Sequence, residues 1–170
     1  QSSNVNDEFI SRVELNTIDN SSNALFYSDF TATSTSLTKG STYTITVTPT
    51  WTGTKYNEGY AVWIDYNKDG DFTDANEQIL SVAPNQNATT SASFTIPTNA
   101  IENTTRMRVS MSYNAIPTSC QSFTYGEVED YTVNLVASGP DTEAPTNPTS
   151  FNDLSYCFSI FFSITNCCFN

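Results

Sequence analysis

The 170-residue chain contains no histidine. That excludes Ser-His-Asp and Cys-His machinery, and histidine-ligated zinc, within these residues. Positive charge is also scarce: 6 Lys and Arg against 18 Asp and Glu leave a net charge of −12. Nucleic acid is therefore a poor partner, because phosphates are neutralised by Lys and Arg. No run of 18 apolar residues occurs, so no transmembrane helix is expected. Helical periodicity is nearly absent, and none of the four cysteines precedes Cys120. No signal peptide is visible at Gln1-Ser2-Ser3-Asn4, so the expectation is a leader already removed or a start within a longer protein.

What is present is β-patterning. Aromatic residues make up 13% of the chain, enough for a sizeable core. Phe9, Val13 and Leu15 fall on one face of a strand. Tyr43, Ile45 and Val47 alternate with threonines up to Pro49. Tyr60, Val62 and Ile64 oppose Ala61 and Trp63; Ala92, Phe94 and Ile96 precede Pro97. Met107, Val109, Met111 and Tyr113 alternate with Arg106, Arg108, Ser110 and Ser112, and a last strand covers 128–136. Short alternating strands punctuated by Gly, Pro, Asn and Asp predict an all-β, antiparallel β-sandwich, jelly-roll-like or immunoglobulin-like.

One segment carries chemistry. Residues 65–77 read Asp-Tyr-Asn-Lys-Asp-Gly-Asp-Phe-Thr-Asp-Ala-Asn-Glu. Oxygen-bearing side chains recur at Asp65, Asn67, Asp69 and Asp71, and Gly70 permits a sharp turn. Ca²⁺ takes six to eight hard oxygen ligands at about 2.3–2.6 Å. Asp65, Asn67, Asp69 and Gly70 fit the EF-hand pattern, but its twelfth position is Asn76 and Glu77 comes one residue late. The flanks, Tyr60–Ile64 and Gln78–Val82, are strand-like. The segment thus reads as a strand–loop–strand Ca²⁺ site, with ligands Asp65, Asn67, Asp69, Asp71 and Glu77 and a main-chain carbonyl near Thr73. The bland alternative is a solvated acidic hairpin loop, since Asn, Asp and Gly favour turns. Five carboxylates in thirteen residues, relieved only by Lys68, favour the ion.

A second acidic run, Tyr125-Gly-Glu-Val-Glu-Asp-Tyr-Thr-Val133, opens the last strand. Carboxylates in a strand need partners. Arg106 and Arg108 are placed to meet Glu129 or Glu127 across the sheet; alternatively, Asp130 or Glu127 completes the ion site. Paired carboxylates also serve hydrolases, with Glu127, Glu129 and Asp69 as the candidates, although ligation and ion pairing explain them more simply. Sequons at Asn20, Asn87 and Asn103 arise by chance in so Asn-, Ser- and Thr-rich a chain.

The domain reading is a sandwich over 1–137, a Pro-rich linker over 138–150 and a tail over 151–170 without assignable periodicity, read as a truncated or altered following domain. Gly126-Glu-Val-Glu-Asp130 matches the name motif of the GEVED domain family of secreted bacterial proteins. Val62–Phe72 with Glu77, Phe9–Val13, Leu37–Tyr43 with Gly40, Thr105–Val109 and Cys120 are similar to that family as well. The segment 140–149 resembles the opening of a fibronectin type III domain. This resemblance implies a non-catalytic β-sandwich accessory module of a secreted or cell-surface multidomain protein, often attached to a peptidase or adhesin. Its partners would be neighbouring domains of the same polypeptide, polysaccharide or cell-surface protein. A carbohydrate-binding module is the alternative, with Trp51, Tyr56 and Tyr60 as stacking candidates against the simpler reading that they pack internally. In the family, the cysteine before the acidic motif pairs with one near the N-terminus. Here that partner is missing, so Cys120 is free or pairs with Cys157, Cys167 or Cys168.

Overall fold

A computed structural model describes residues 1–139; the expectations for the linker, the tail and its three cysteines fall outside them. Nine strands form in chain order: β1 Glu8–Leu15, β2 Ile18–Ser21, β3 Tyr27–Thr38, β4 Thr42–Trp51, β5 Glu58–Ile64, β6 Gln78–Asn85, β7 Thr90–Thr95, β8 Asn103–Tyr113 and β9 Gly126–Val136. They make a four-stranded sheet ordered β2-β1-β4-β7 and a five-stranded sheet ordered β3-β9-β8-β5-β6. The described residues contain no helix, as the missing 3.6-residue period requires.

The two sheets bury one apolar layer between them. Ile10, Val13 and Leu15 of β1 and Ile45 and Val47 of β4 meet Tyr60, Val62 and Ile64 of β5, Met107, Val109 and Met111 of β8, and Tyr131, Val133 and Leu135 of β9. Alternation places these residues inward because successive side chains of a strand point to opposite faces. The outer face of the four-stranded sheet carries a hydroxyl ladder: Thr42–Thr95, Thr44–Ser93 and Thr46–Ser91 lie 2.9, 3.0 and 2.9 Å apart.

Three local expectations change. The inward residue at the start of β1 is Ile10, not Phe9, because a bulge between Ile10 and Arg12 shifts the pleat by one residue. β4 does not stop at Pro49 but runs through it to Trp51; Pro49 sits opposite Ile10 at that bulge, where a ladder N–H is not required. The sheets are not wholly antiparallel either: β3 runs parallel to β9. β3 left no alternating apolar signal, since its sequence YSDFTATSTSLT is mostly Ser and Thr.

β5 is buried along its whole length, as expected for a strand between two neighbours with both faces covered. Its inner face joins the main core. Its outer residues Ala61 and Trp63 form a second small cluster with Phe72, which comes from the acidic loop. The loop therefore folds back over the outer face of the five-stranded sheet, above the strand that launches it.

Candidate functional site

The acidic loop is anchored at its base. Ile64 N–H donates to the Glu77 carbonyl (2.9 Å), Asp65 N–H to the Arg106 carbonyl (3.1 Å), and Thr105 Oγ1 to the Asp65 carbonyl (2.7 Å). Within the loop the spacing of two produces a chain of Asx turns. Asn67 Oδ1 accepts from Asp69 N–H (3.0 Å), Asp69 Oδ1 from Asp71 N–H (3.0 Å), and Asp71 Oδ1 from Thr73 N–H (2.8 Å). Each short side chain thereby binds the amide two residues on. Lys68, Gly70 and Asn76 adopt φ of 60°, 92° and 73°, left-handed values that Gly and Asn reach most easily.

The expected ligands separate into two groups. Asp65 and Glu77 are buried at the base and serve backbone amides. Asp65 accepts from Lys68 N–H (2.6 Å) and Gly70 N–H (3.1 Å), and Glu77 from Tyr66 N–H (2.8 Å) and Asp74 N–H (3.4 Å). Burial raises the Glu77 pKa, opposed by these amides. Asp69 and Asp71 lie instead on the exposed rim with Asp74, their carboxylate oxygens within 4.8 Å of one another. The Asn67 amide donates to Asp69 (2.9 Å) and Asp74 (2.8 Å). Donation from the Asp71 amide, and then from Asn67, holds Asp69 below the ordinary carboxylate range. The Thr73 hydroxyl donates to Asp71 (2.8 Å). Asp74 was absent from the sequence-derived ligand set because it breaks the alternation; its membership in the same acidic stretch was the available signal. An all-oxygen rim of three carboxylates suits a hard divalent cation.

The carboxylates of β9 are arranged differently. Glu127 and Glu129 point to the core face and Asp130 to the outer face, and all three are 0% exposed. Glu127 accepts from Ile10 N–H (2.9 Å), Ser28 Oγ (3.0 Å) and Leu25 N–H (3.3 Å). Glu129 accepts from Ser22 Oγ and the Tyr131 hydroxyl, both at 2.7 Å. Burial, then the proximity of Glu129, pushes the Glu127 pKa up to about 8; burial pushes Glu129 up to about 7.

The arginines do not meet Glu127 or Glu129. Register pairs Arg108 directly with Asp130, while Val109 faces Glu129 and Met111 faces Glu127, so the glutamates stand on the side opposite both guanidinium groups. Arg108 grips Asp130 with two bonds of 2.7 Å. Arg106 approaches it at 3.6 Å, and the Tyr27 hydroxyl donates to it at 2.9 Å. Neither Asp130 nor Glu127 joins the rim acids of the loop. The outer face still links the two acidic regions: the Arg108 guanidinium lies 5.4 Å from the centre of the Phe72 ring, a cation–π contact between the Asp130 pair and the loop. Full burial of Glu127 and Glu129 keeps substrate from two of the three carboxylates considered for hydrolysis; the third, Asp69, is exposed on the loop rim. Of the aromatics considered for stacking, Tyr60 is 1% exposed and part of the core, Trp51 is half-buried and Tyr56 is exposed. Cys120 is exposed.

Among the described residues no helix is long and apolar enough to cross a membrane. A search of curated proteins finds no match. Among solved structures, an AA10 lytic polysaccharide monooxygenase from Streptomyces lividans aligns at 15% identity and a TM-score of 0.31. The alignment covers 60% of this chain and 59% of that one, less than two thirds of its length, and at that TM-score it carries no argument. A family model described as "GEVED domain" matches residues 59–134. That span runs from β5 through the acidic loop to the carboxylates of β9 and holds both acidic regions. Over residues 59–134 the chain is similar to the GEVED domain family.

Proposed function

We propose that this chain is a non-catalytic accessory module of a secreted or cell-surface multidomain protein, and that a divalent cation, Ca²⁺, braces its acidic loop. The observation that carries the reading is the rim: Asp69, Asp71 and Asp74 converge to within 4.8 Å on a loop whose backbone is already turned by Asp65 and Glu77. The rim carboxylates, with Asn67 and the Thr73 carbonyl as further oxygen donors, are the first candidates to hold the ion. Asp65 and Glu77 shape the loop beneath it and complete the ligand set if their amide bonds are exchanged for metal bonds. Bound Ca²⁺ neutralises the repulsion between carboxylates and fixes Phe72 over Trp63. The GEVED match supports the accessory role. Neighbouring domains of the same polypeptide are the first partners.

Calorimetric titration of the full chain with Ca²⁺, together with thermal unfolding in Ca²⁺ and in EDTA, tests this reading. Saturable heat and a higher melting temperature in Ca²⁺ are expected; no heat and identical unfolding curves would remove the metal from the proposal.

A second reading, binding of a polysaccharide, is supported by a groove of about 600 Å³ beside the loop, whose lining includes Lys68, Phe72, Arg106, Thr31 and Thr132. Asp65 and Asp69 line the groove as well, so a polymer presenting hydroxyl groups fits that mixture better than one bearing carboxylates. A glycan array probed with and without Ca²⁺ tests it, and no binding to any polysaccharide would discard it.

A further inference from the structure

A different end of the sandwich holds an acidic site unrelated to the loop. Glu58, the first residue of β5, is 0% exposed. Its carboxylate oxygens make no hydrogen bond of good geometry, although the nearby Trp51 indole N–H opposes the rise in its pKa, and the buried Tyr60 hydroxyl is unpaired. Glu8, the first residue of β1, is 2% exposed and belongs to the opposite sheet. The two carboxylates interact: burial, then the charge of Glu8, pushes Glu58 up to about 7, and burial with the neighbouring Asp7 raises Glu8. Two buried acids without a compensating charge are costly to retain.

Over Glu8 lies a cavity of about 190 Å³ lined by Asp7, Glu8, Tyr56, Tyr113 and Tyr125. Tyr113 stands edge-on to Tyr56 (5.6 Å between ring centres, 86°) and to Tyr125 (6.0 Å, 80°). The three rings are 37, 44 and 39% exposed, a contiguous aromatic rim where single exposed tyrosines would call for no explanation. The walls are fixed through the main chain: Tyr113 N–H donates to the Tyr125 carbonyl (3.2 Å) and Asn114 N–H to the Asn57 carbonyl (2.8 Å). No Lys or Arg lines the cavity. Lys55, on the same connection as Tyr56, is placed over the Trp51 ring at 4.8 Å.

We propose that this cavity binds an organic ammonium ion, with the tyrosine rings around the cation and Asp7 and Glu8 as its counter-charge. Aromatic faces attract cations through the ring quadrupole, most strongly where water is excluded. The acids beside and beneath them select positive charge over a neutral guest. The volume corresponds to roughly six water molecules, room for a methylated ammonium headgroup or the end of an alkylamine. A divalent metal is the poorer fit, because tyrosine faces are not oxygen ligands, and the metal-sized carboxylate grouping among the described residues lies elsewhere, at Asp69, Asp71 and Asp74. The site does not depend on the proposed Ca²⁺ loop.

The test is an NMR titration of the full chain, in EDTA, with choline, n-butylammonium and 3,3-dimethyl-1-butanol, the last an uncharged isostere of choline. Saturable shifts confined to Tyr56, Tyr113, Tyr125 and their neighbours are expected with one or both ammonium ions, and none with the alcohol. Whichever ammonium binds more tightly identifies the quaternary or the primary amine as the preferred source. Tyr113→Ala should weaken binding roughly tenfold, and Asp7→Asn should weaken it while leaving the fold intact. If Tyr113→Ala does not fold, Tyr56→Leu, at an exposed position, takes its place. Absence of saturable shifts with both cations, equal binding of the alcohol, or unchanged affinity in the folded tyrosine variants would overturn the proposal.

Discussion

The acidic loop and the acidic strand use the same side chains in opposite ways. On β9, Glu127, Glu129 and Asp130 are sealed from water, and each has partners fixed by another strand or connection. On the loop, Asp69, Asp71 and Asp74 stand in solvent, close together, with only local amides and hydroxyls to receive. The difference follows from the cost of burying charge, which removes every unpaired carboxylate from an interior unless a donor or a proton compensates it. Exposed acids carry no such requirement. They are free to be arranged for a ligand, whereas the buried ones are committed to holding strands in register.

Substitution of Asp130 should show this contrast most strongly. Asp130→Ala leaves Arg108, with a side chain only 19% exposed, without its carboxylate and removes the acceptor of the Tyr27 hydroxyl. A loss of about 3–5 kcal/mol is expected, measured as a lower denaturant midpoint with an unchanged slope. An equal loss from Asp74→Ala in EDTA would erase the distinction between the two regions.

Removal of the proposed cation comes next. At free Ca²⁺ a hundredfold above its dissociation constant the stabilisation is about 2.7 kcal/mol, and chelation should abolish it. The triple variant Asp69→Asn, Asp71→Asn, Asp74→Asn should lose the Ca²⁺ response while unfolding in EDTA much as the parent does. Persistence of the full response in that variant would move the site away from the rim.

The pH dependence separates the β9 glutamates from the rim Asp69 by sign. Glu127 and Glu129 keep their protons in the folded state up to about 8 and about 7, against an ordinary 4.5. Their stabilisation is complete below about pH 4.5 and is lost as pH rises through 7 to 8, because the unfolded chain releases those protons first. Between pH 5 and 9 a fall of several kcal/mol is expected, at about 1.4 kcal/mol for each unit by which each pKa is raised, with Glu127→Gln flattening the curve. Asp69, held below the ordinary range, acts in the opposite direction. A stability that climbs steadily from pH 5 to 9 would show that the β9 glutamates are ionised in the fold.

The smallest expected effect is Asp71→Asn measured in EDTA. With Asp71 exposed and its Asx turn preserved by Asn, the unfolding midpoint should stay within error of the parent. A clear change would mean that the loop is coupled to the core more tightly than the Phe72 contact implies.

Strands with clear apolar alternation were legible from residue order: β4 through Ile45 and Val47, β5 through Tyr60, Val62 and Ile64, and β8 through Met107, Val109 and Met111. β3 was not legible, because a strand mostly of Ser and Thr has too few apolar residues to alternate, and pairing with β9 is what brings Phe30 and Leu37 onto the core. The bulge at Ile10–Arg12 was equally hidden, being a property of the β1–β4 pair. The loop was legible as an acidic turn with Gly70 at its bend, but the separation of its acids into base and rim was not, since Asp65 and Glu77 are buried by strands that precede and follow the loop.

Residue order alone thus determined the all-β class, the lack of histidine chemistry and the position of the acidic turn, because each depends on local composition and a period of two. Tertiary structure decided which carboxylate meets which arginine, which acids are buried and where the tyrosines converge. Those outcomes depend on register between strands distant in the chain, and a shift of one residue would exchange the two faces of β9 and with them every partner of Glu127, Glu129 and Asp130.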